Sequence, residues 1–112
     1  MRLILTLASA SIVLASQVQA APPQTGRQAF ERYCTECHGP GIGHPGTQQL
    51  GWVRGPAKAE LKHRTDLAPA YVVFVARHGL AQMPAFRPTE LGEADLQSIA
   101  AYLAPTHHPD YH

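Results

Sequence analysis

Two cysteines and a histidine stand together in the first half of the chain, at a spacing that can serve one chemical purpose. The segment reads Cys34-Thr35-Glu36-Cys37-His38, and it contains both cysteines of the 112 residues. Thiols separated by two residues lie about one turn apart on a helix. Both thiols can therefore reach one partner group while the adjacent imidazole is held beside it.

The pattern C-x-x-C-H is typical of the covalent attachment of a c-type haem. Each thiol would add to one vinyl group of the porphyrin, and His38 would bind the iron as its proximal ligand. Three other interpretations stay open. They are a thioredoxin-type redox pair, which needs a βαβ context, a structural zinc site, which needs four ligands, and a disulfide across a very short loop. For zinc, His44 and His63 are available as further ligands.

Met83 is the candidate for a second axial ligand. It is followed by Pro84 and comes shortly after Gly79, where a helix is expected to stop. By analogy with cytochromes whose iron is held by histidine and methionine, we expect Met83 to bind the iron. Methionine also fills gaps in cores, which is the alternative for Met83. The competing sixth ligands are His44, His63 and His78.

The elements that must position these residues are predicted to be helices. Thr25-Gly26-Arg27-Gln28 fits a capping box, so a first helix starts there and runs into Cys34. The segment Gly39–Gly51 holds five glycines and two prolines and reads as irregular loop. A short helix is expected over residues 54–64, with Ala57 and Leu61 facing inward.

Two further helices are predicted in the second half. Pro69 suits the first helical position, with Leu67 and Val72 as a hydrophobic staple, and Gly79 is the C-terminal stop. The last helix begins at Gly92, where Leu91 and Leu96 would form a hydrophobic staple, and it ends at Pro105. Its apolar positions repeat at i, i+3, i+4 and i+7; they are Leu96, Ile99, Ala100 and Leu103.

Length and charge restrict the class of protein. The chain is long enough for one small domain. Residues 1–20 read as a secretory signal peptide, with a basic start, an uncharged apolar run and cleavage after Ala20; a retained membrane anchor is the alternative. We expect the domain to span residues 21–104, with a flexible tail at 105–112. Without the signal, eight basic residues balance eight acidic ones, so nucleic-acid binding is not expected. The apolar run of the signal and every later apolar stretch are too short to span a bilayer, so no stable membrane anchor is expected.

The chain resembles class I, single-haem cytochromes c of the small bacterial type over residues 25–104. Gly26, Phe30 and the attachment motif match the family's first helix, Tyr102 matches the aromatic residue of its last helix, and Met83 matches the axial-ligand segment. The resemblance implies an all-α fold in which three to four helices pack around one covalently attached haem c. It also implies a periplasmic one-electron carrier rather than an enzyme.

Residues 43–47 and 83–87 are similar to cytochrome subunits that serve flavoprotein hydroxylases of the p-cresol or eugenol type. This resemblance implies a flavoprotein dehydrogenase as the redox partner. With His38 and Met83 both bound, the iron would have no open position. Two alternatives remain: a haem enzyme or sensor whose Met83 dissociates, and a non-haem zinc or redox module.

Several further residues are expected around a haem. The carbonyl of Pro45 or Pro40 would accept the second N–H of His38. Apolar packing around the porphyrin would come from Val72, Val75, Leu80 and Phe86. The candidate partners of the haem propionates are Trp52, Arg54 and Arg87.

Overall fold

A computed structural model of the chain describes Pro22 and residues 24–104. The predicted signal peptide, its cleavage site, Pro105 and the predicted tail lie outside the described residues. Within them the fold is all-α, as predicted, but it has five α-helices rather than three or four. They are α1 (Gly26–Tyr33), α2 (Thr35–His38), α3 (Pro45–Arg54), α4 (Pro69–His78) and α5 (Glu93–Leu103).

Helix α1 begins where the capping box predicts. The backbone N–H of Gln28 donates to the Thr25 hydroxyl over 3.3 Å, and the Thr25 N–H donates to the Gln28 side chain over 3.0 Å. The helix ends at Tyr33, and Cys34 caps both it and the one-turn helix α2. The attachment motif therefore lies at a bend directly after α1.

Helices α1 and α5 cross in close contact. At Gly26 a Cβ atom would meet the carbonyl oxygen of Ser98 and lie 2.7 Å from Cβ of Tyr102. The rings of Phe30 and Tyr102 pack with their centroids 5.8 Å apart. The predicted stripe of α5 is buried, as is Leu91 before it. The crossing thus forms as predicted, because glycine lets the two backbones approach.

Two predictions for the middle of the chain are wrong. Residues 45–51, predicted as loop, belong to α3, because Pro45 fixes the first helical position and the loop is confined to 39–44. Residues 54–64 form two 3₁₀ turns rather than an α-helix, Pro56–Lys58 and Leu61–His63. Leu61 packs against the core as predicted, whereas Ala57 is exposed.

Helix α4 has the predicted bounds. It begins at Pro69, and the N–H of Gly79 closes it on the carbonyl of Val75 over 2.7 Å. The chain then runs through residues 79–92, which join α4 to α5. No helix within the described residues is long and apolar enough to cross a membrane.

Candidate cofactor site

The helices enclose one large cavity, which we call the main cavity. Its volume is about 1010 Å³, at the upper end of the range of about 300–1,000 Å³ for small-molecule sites. The walls are mostly apolar and come from α3, α4, α5, the attachment motif and the segment after α4. Leu96, Ile99 and Leu103 carry the core face of α5 directly into the wall. The core is thus built around a space of cofactor size.

The attachment motif lies on this wall. Cys34, Cys37 and His38 all line the main cavity, and both cysteines are free thiols. The N–H of His38 donates to the carbonyl of Cys34 over 2.8 Å, which fixes the turn. Burial, and the nearby Cys37, raise the pKa of the Cys34 thiol to about 11, so it stays protonated at neutral pH. Both thiols are available for addition to a group in the cavity.

Helix α3 packs against the imidazole of His38 through Gly46. A Cβ atom on Gly46 would lie 2.6 Å from Cε1 of His38, so only glycine allows this approach. The Thr47 hydroxyl is buried and donates to the Gly39 carbonyl over 2.7 Å, tying α3 to the end of α2. Burial lowers the pKa of His38, which favours the neutral imidazole that binds metals.

The expected hydrogen bond of His38 is not formed. Its Nδ1 atom is buried and has no hydrogen-bond partner among the described residues. The predicted acceptors, the carbonyls of Pro45 and Pro40, are thus not engaged, although Pro45 lines the main cavity. The imidazole packs on Gly46, where a Cβ atom would lie 2.8 Å from Nδ1.

Met83 reaches the main cavity from a short segment that we call the strap, residues 79–86. Two backbone hydrogen bonds join Leu80 and Met83, at 2.9 and 3.1 Å. The strap closes where the N–H of Phe86 donates to the Ala76 carbonyl over 2.8 Å. Met83 and Phe86 are half-buried and line the cavity. Both ends of the strap are therefore fixed to the last turn of α4.

The competing histidines are engaged elsewhere. His44 lies 3.1 Å from the Glu36 carbonyl, His63 lies 3.3 Å from Glu60, and His78 stacks on Phe74 with ring centroids 4.3 Å apart. Of the four candidates for the sixth ligand, Met83 is the one that lines the main cavity. Within residues 24–104, no three side chains of His, Cys, Asp or Glu are grouped so that they could hold a metal ion.

Of the three predicted partners of the haem propionates, two line the cavity and one arginine does not. Trp52 and Arg54 line the cavity, with Trp52 80% exposed. Arg87 is not brought to it: its side chain is 77% exposed and pairs with Glu90 at 2.8 Å. The segment after Pro84 carries Phe86 inward and leaves Arg87 facing solvent.

Arg64 takes the place at the cavity edge that the sequence prediction gave to Arg87. Its side chain is only 11% exposed and lines the cavity. Two hydrogen bonds of 2.8 and 3.0 Å join it to Asp66, and they hold the pKa of that carboxyl well below its usual range, with Lys58 adding to the effect. In the sequence, nothing distinguishes Arg64 from its neighbours Lys62 and His63, which are exposed in the structure.

These features fit a haem. The cavity is large and mostly apolar, two free thiols and the His38 imidazole line it, and the thioether of Met83 lines the same cavity. Comparison with curated proteins finds no match. Residues 21–103 match the family model described as cytochrome C oxidase, cbb3-type, subunit III. The chain belongs to this family of class I cytochromes c, which implies a c-type haem and a role in electron transfer with a redox partner.

Proposed function

We propose that this chain is a one-electron carrier with one haem, held covalently through Cys34 and Cys37 and ligated by His38 and Met83. One observation carries the proposal: these four side chains line the same cavity, although α3 and α4 separate Met83 from the other three in sequence. When bound, the haem supplies reversible one-electron exchange between ferric and ferrous iron.

The residues of the cavity would tune this exchange. The thioether of Met83 is a soft ligand, and Met/His ligation raises the reduction potential. Val72, Val75 and Phe86 keep water from the wall and thereby disfavour the extra positive charge of the ferric state. Arg54 and Arg64 offer N–H groups at the cavity edge, where carboxylates of the porphyrin would be bound.

A carrier fits the ligand set better than an enzyme does. With both His38 and Met83 on the iron, no coordination position stays open for a substrate or for peroxide. The strap supports this assignment because its two ends are fixed to one helix turn. The alternative is an enzyme or sensor whose Met83 leaves the iron, and opening of the strap would allow this.

We propose the periplasm as the site of action and a flavoprotein dehydrogenase as the electron donor. The basic start and apolar run of residues 1–20 support export. The similarity of residues 43–47 and 83–87 to cytochrome subunits of phenol-oxidising flavoproteins supports the donor. Exposed residues beside the cavity would meet it: Leu80, Ala81, Gln82 and Pro84.

The cofactor is tested with the full chain, expressed in a host that matures c-type cytochromes. A pyridine haemochrome assay should give one haem per chain, and acid–acetone should not extract the pigment. The ferric protein should show the far-red absorption band of a thioether-ligated haem, and Met83→Leu should abolish it. Colourless protein, or pigment that acid–acetone removes, would refute the proposal.

The donor is tested separately by rapid mixing. A purified p-cresol-type flavoprotein hydroxylase, reduced by its phenol, should reduce the ferric protein faster than free reduced flavin does. Equal rates would remove the flavoprotein from the proposal and leave the haem assignment untouched.

A further inference from the structure

Arg77 is a half-buried cation to which the sequence analysis gives no role. It lies in the last turn of α4, and its side chain is 16% exposed. Its guanidinium donates to the carbonyl of Leu91 over 2.9 Å and to the carbonyl of Phe86 over 3.3 Å. A third contact reaches the carboxylate of Glu93 at 3.0 Å. One side chain thus joins α4, the end of the strap and the start of α5.

The contact with Phe86 matters most for the site. Phe86 closes the strap through its N–H, which donates to the Ala76 carbonyl over 2.8 Å. Arg77 binds the carbonyl of the same residue, so both polar backbone groups of Phe86 are held by the last turn of α4. Because the strap starts at Gly79 on that turn, Met83 lies in a loop that is closed at both ends.

Hydrogen bonds from a charged donor are stronger than neutral ones, and they strengthen further where water is excluded. If Arg77 is lost, the Phe86 and Leu91 carbonyls lose their charged donor, and the far end of the strap depends on one backbone bond. Opening the strap would then cost less free energy. The consequence concerns Met83, because opening of the strap would carry its side chain away from the cavity wall.

We propose that Arg77 is a positioning residue for Met83, which fixes the far end of the strap and so sets how readily Met83 leaves the iron. The inference rests on the proposed function, in which Met83 is the sixth ligand. It assigns the hold on this ligand to a side chain that does not line the main cavity.

The test uses the ferric holoprotein and its rate of cyanide binding, which requires Met83 to leave. Arg77→Gln should bind cyanide about tenfold faster than the unchanged protein, which corresponds to ~1.4 kcal/mol. Arg77→Lys keeps the positive charge but lacks the paired N–H donors of a guanidinium, so its rate of cyanide binding should fall between those two rates. The matched control is Arg87→Gln, which removes an exposed arginine next to Phe86 and should leave the rate within about twofold.

A second control separates positioning from general destabilisation. Gly26→Ala weakens the crossing of α1 and α5, which lies outside the main cavity. It should lower the free energy of unfolding without accelerating cyanide binding. The proposal is overturned if Arg77→Gln binds cyanide at the unchanged rate, or if Gly26→Ala accelerates it equally. If Arg77→Gln does not accumulate, Arg77→Lys decides by the same criterion.

If the proposed function is wrong, the unchanged protein already shows it, before any variant is compared. In that case the unchanged protein lacks covalent haem or the far-red band. If the band is present and the variants do not differ, only the role of Arg77 is wrong.

Discussion

In the proposed holoprotein, Gly79→Ala should weaken the bond between Met83 and the iron more than a substitution at any exposed glycine does. Gly79 has φ 76° and ψ 171°, a backbone conformation that is essentially restricted to glycine and costs other residues about 1–3 kcal/mol. The new Cβ would also lie 2.6 Å from the Met83 carbonyl oxygen and 3.2 Å from the Ala85 nitrogen. Both neighbours are backbone atoms, so the strap must move.

The movement would strain the paired hydrogen bonds between Leu80 and Met83. Each neutral bond contributes about 1 kcal/mol net, so together with the backbone strain the fold should lose roughly 3 kcal/mol. We expect about 1–2 kcal/mol of this to appear in the equilibrium between bound and free Met83, roughly a five- to thirtyfold change. Denaturant unfolding measures the loss of folding free energy. Cyanide titration, followed by the far-red band, measures the equilibrium between bound and free Met83.

Two glycines provide matched controls. Gly41 has φ 81°, and nothing lies within 4 Å of a Cβ built on it, so Gly41→Ala should cost stability without affecting Met83. In Gly92→Ala the new Cβ meets nothing within 4 Å and φ is −62°, but alanine is a poorer N-cap of α5 than glycine, so this variant should lose up to about 1 kcal/mol of stability without affecting Met83. The reasoning is refuted if Gly79→Ala keeps the far-red band and the unchanged cyanide affinity, or if Gly41→Ala loses them too.

Three other substitutions test separate parts of the structure. Thr47→Val leaves the Gly39 carbonyl without its donor and should lower the free energy of unfolding by about 1–3 kcal/mol in denaturant titration; an unchanged value would contradict this. Asp66 has a lowered pKa, so its stabilising contribution is present above the ordinary carboxyl pKa and is lost as the pH falls. Asp66→Asn should therefore be less stable at pH 7, with the difference narrowing below about pH 4, and a difference independent of pH would refute the pairing. Cys37→Ser should keep one thioether, through Cys34, and leave one vinyl group, which moves the pyridine haemochrome band to longer wavelength; an unshifted band would show that Cys37 is not attached.

Sequence patterns predicted the parts of the fold that depend on local contacts. Thr25 and Gln28 form a capping box within four residues, and the stripe of α5 follows from helix periodicity alone. The crossing at Gly26 and Tyr102 came from the family resemblance. These predictions hold because each depends on short-range geometry or on a contact that the family shares.

The errors arise where tertiary contacts override local composition. Gly46 and Gly51 suggested a loop, but both lie in α3; position 46 is glycine because the His38 imidazole occupies the space of a side chain. Arg64 and Arg87 could not be ranked from sequence, since only the path of the chain decides which one is buried. Likewise, nothing local to Arg77 indicated that it joins three elements.

The crossing of α1 and α5 has one further consequence, for rearranging the chain. Gly26 opens α1 and Tyr102 lies in the last turn of α5, and the two are in contact. Neither lines the main cavity. A short linker from Ala104 to Thr25 would therefore join adjacent points, and new ends could be opened in the exposed loop at residues 40–43. The fold is thus suited to circular permutation. The helices would follow one another in a different order along the polypeptide, while the residues that line the cavity would keep their contacts.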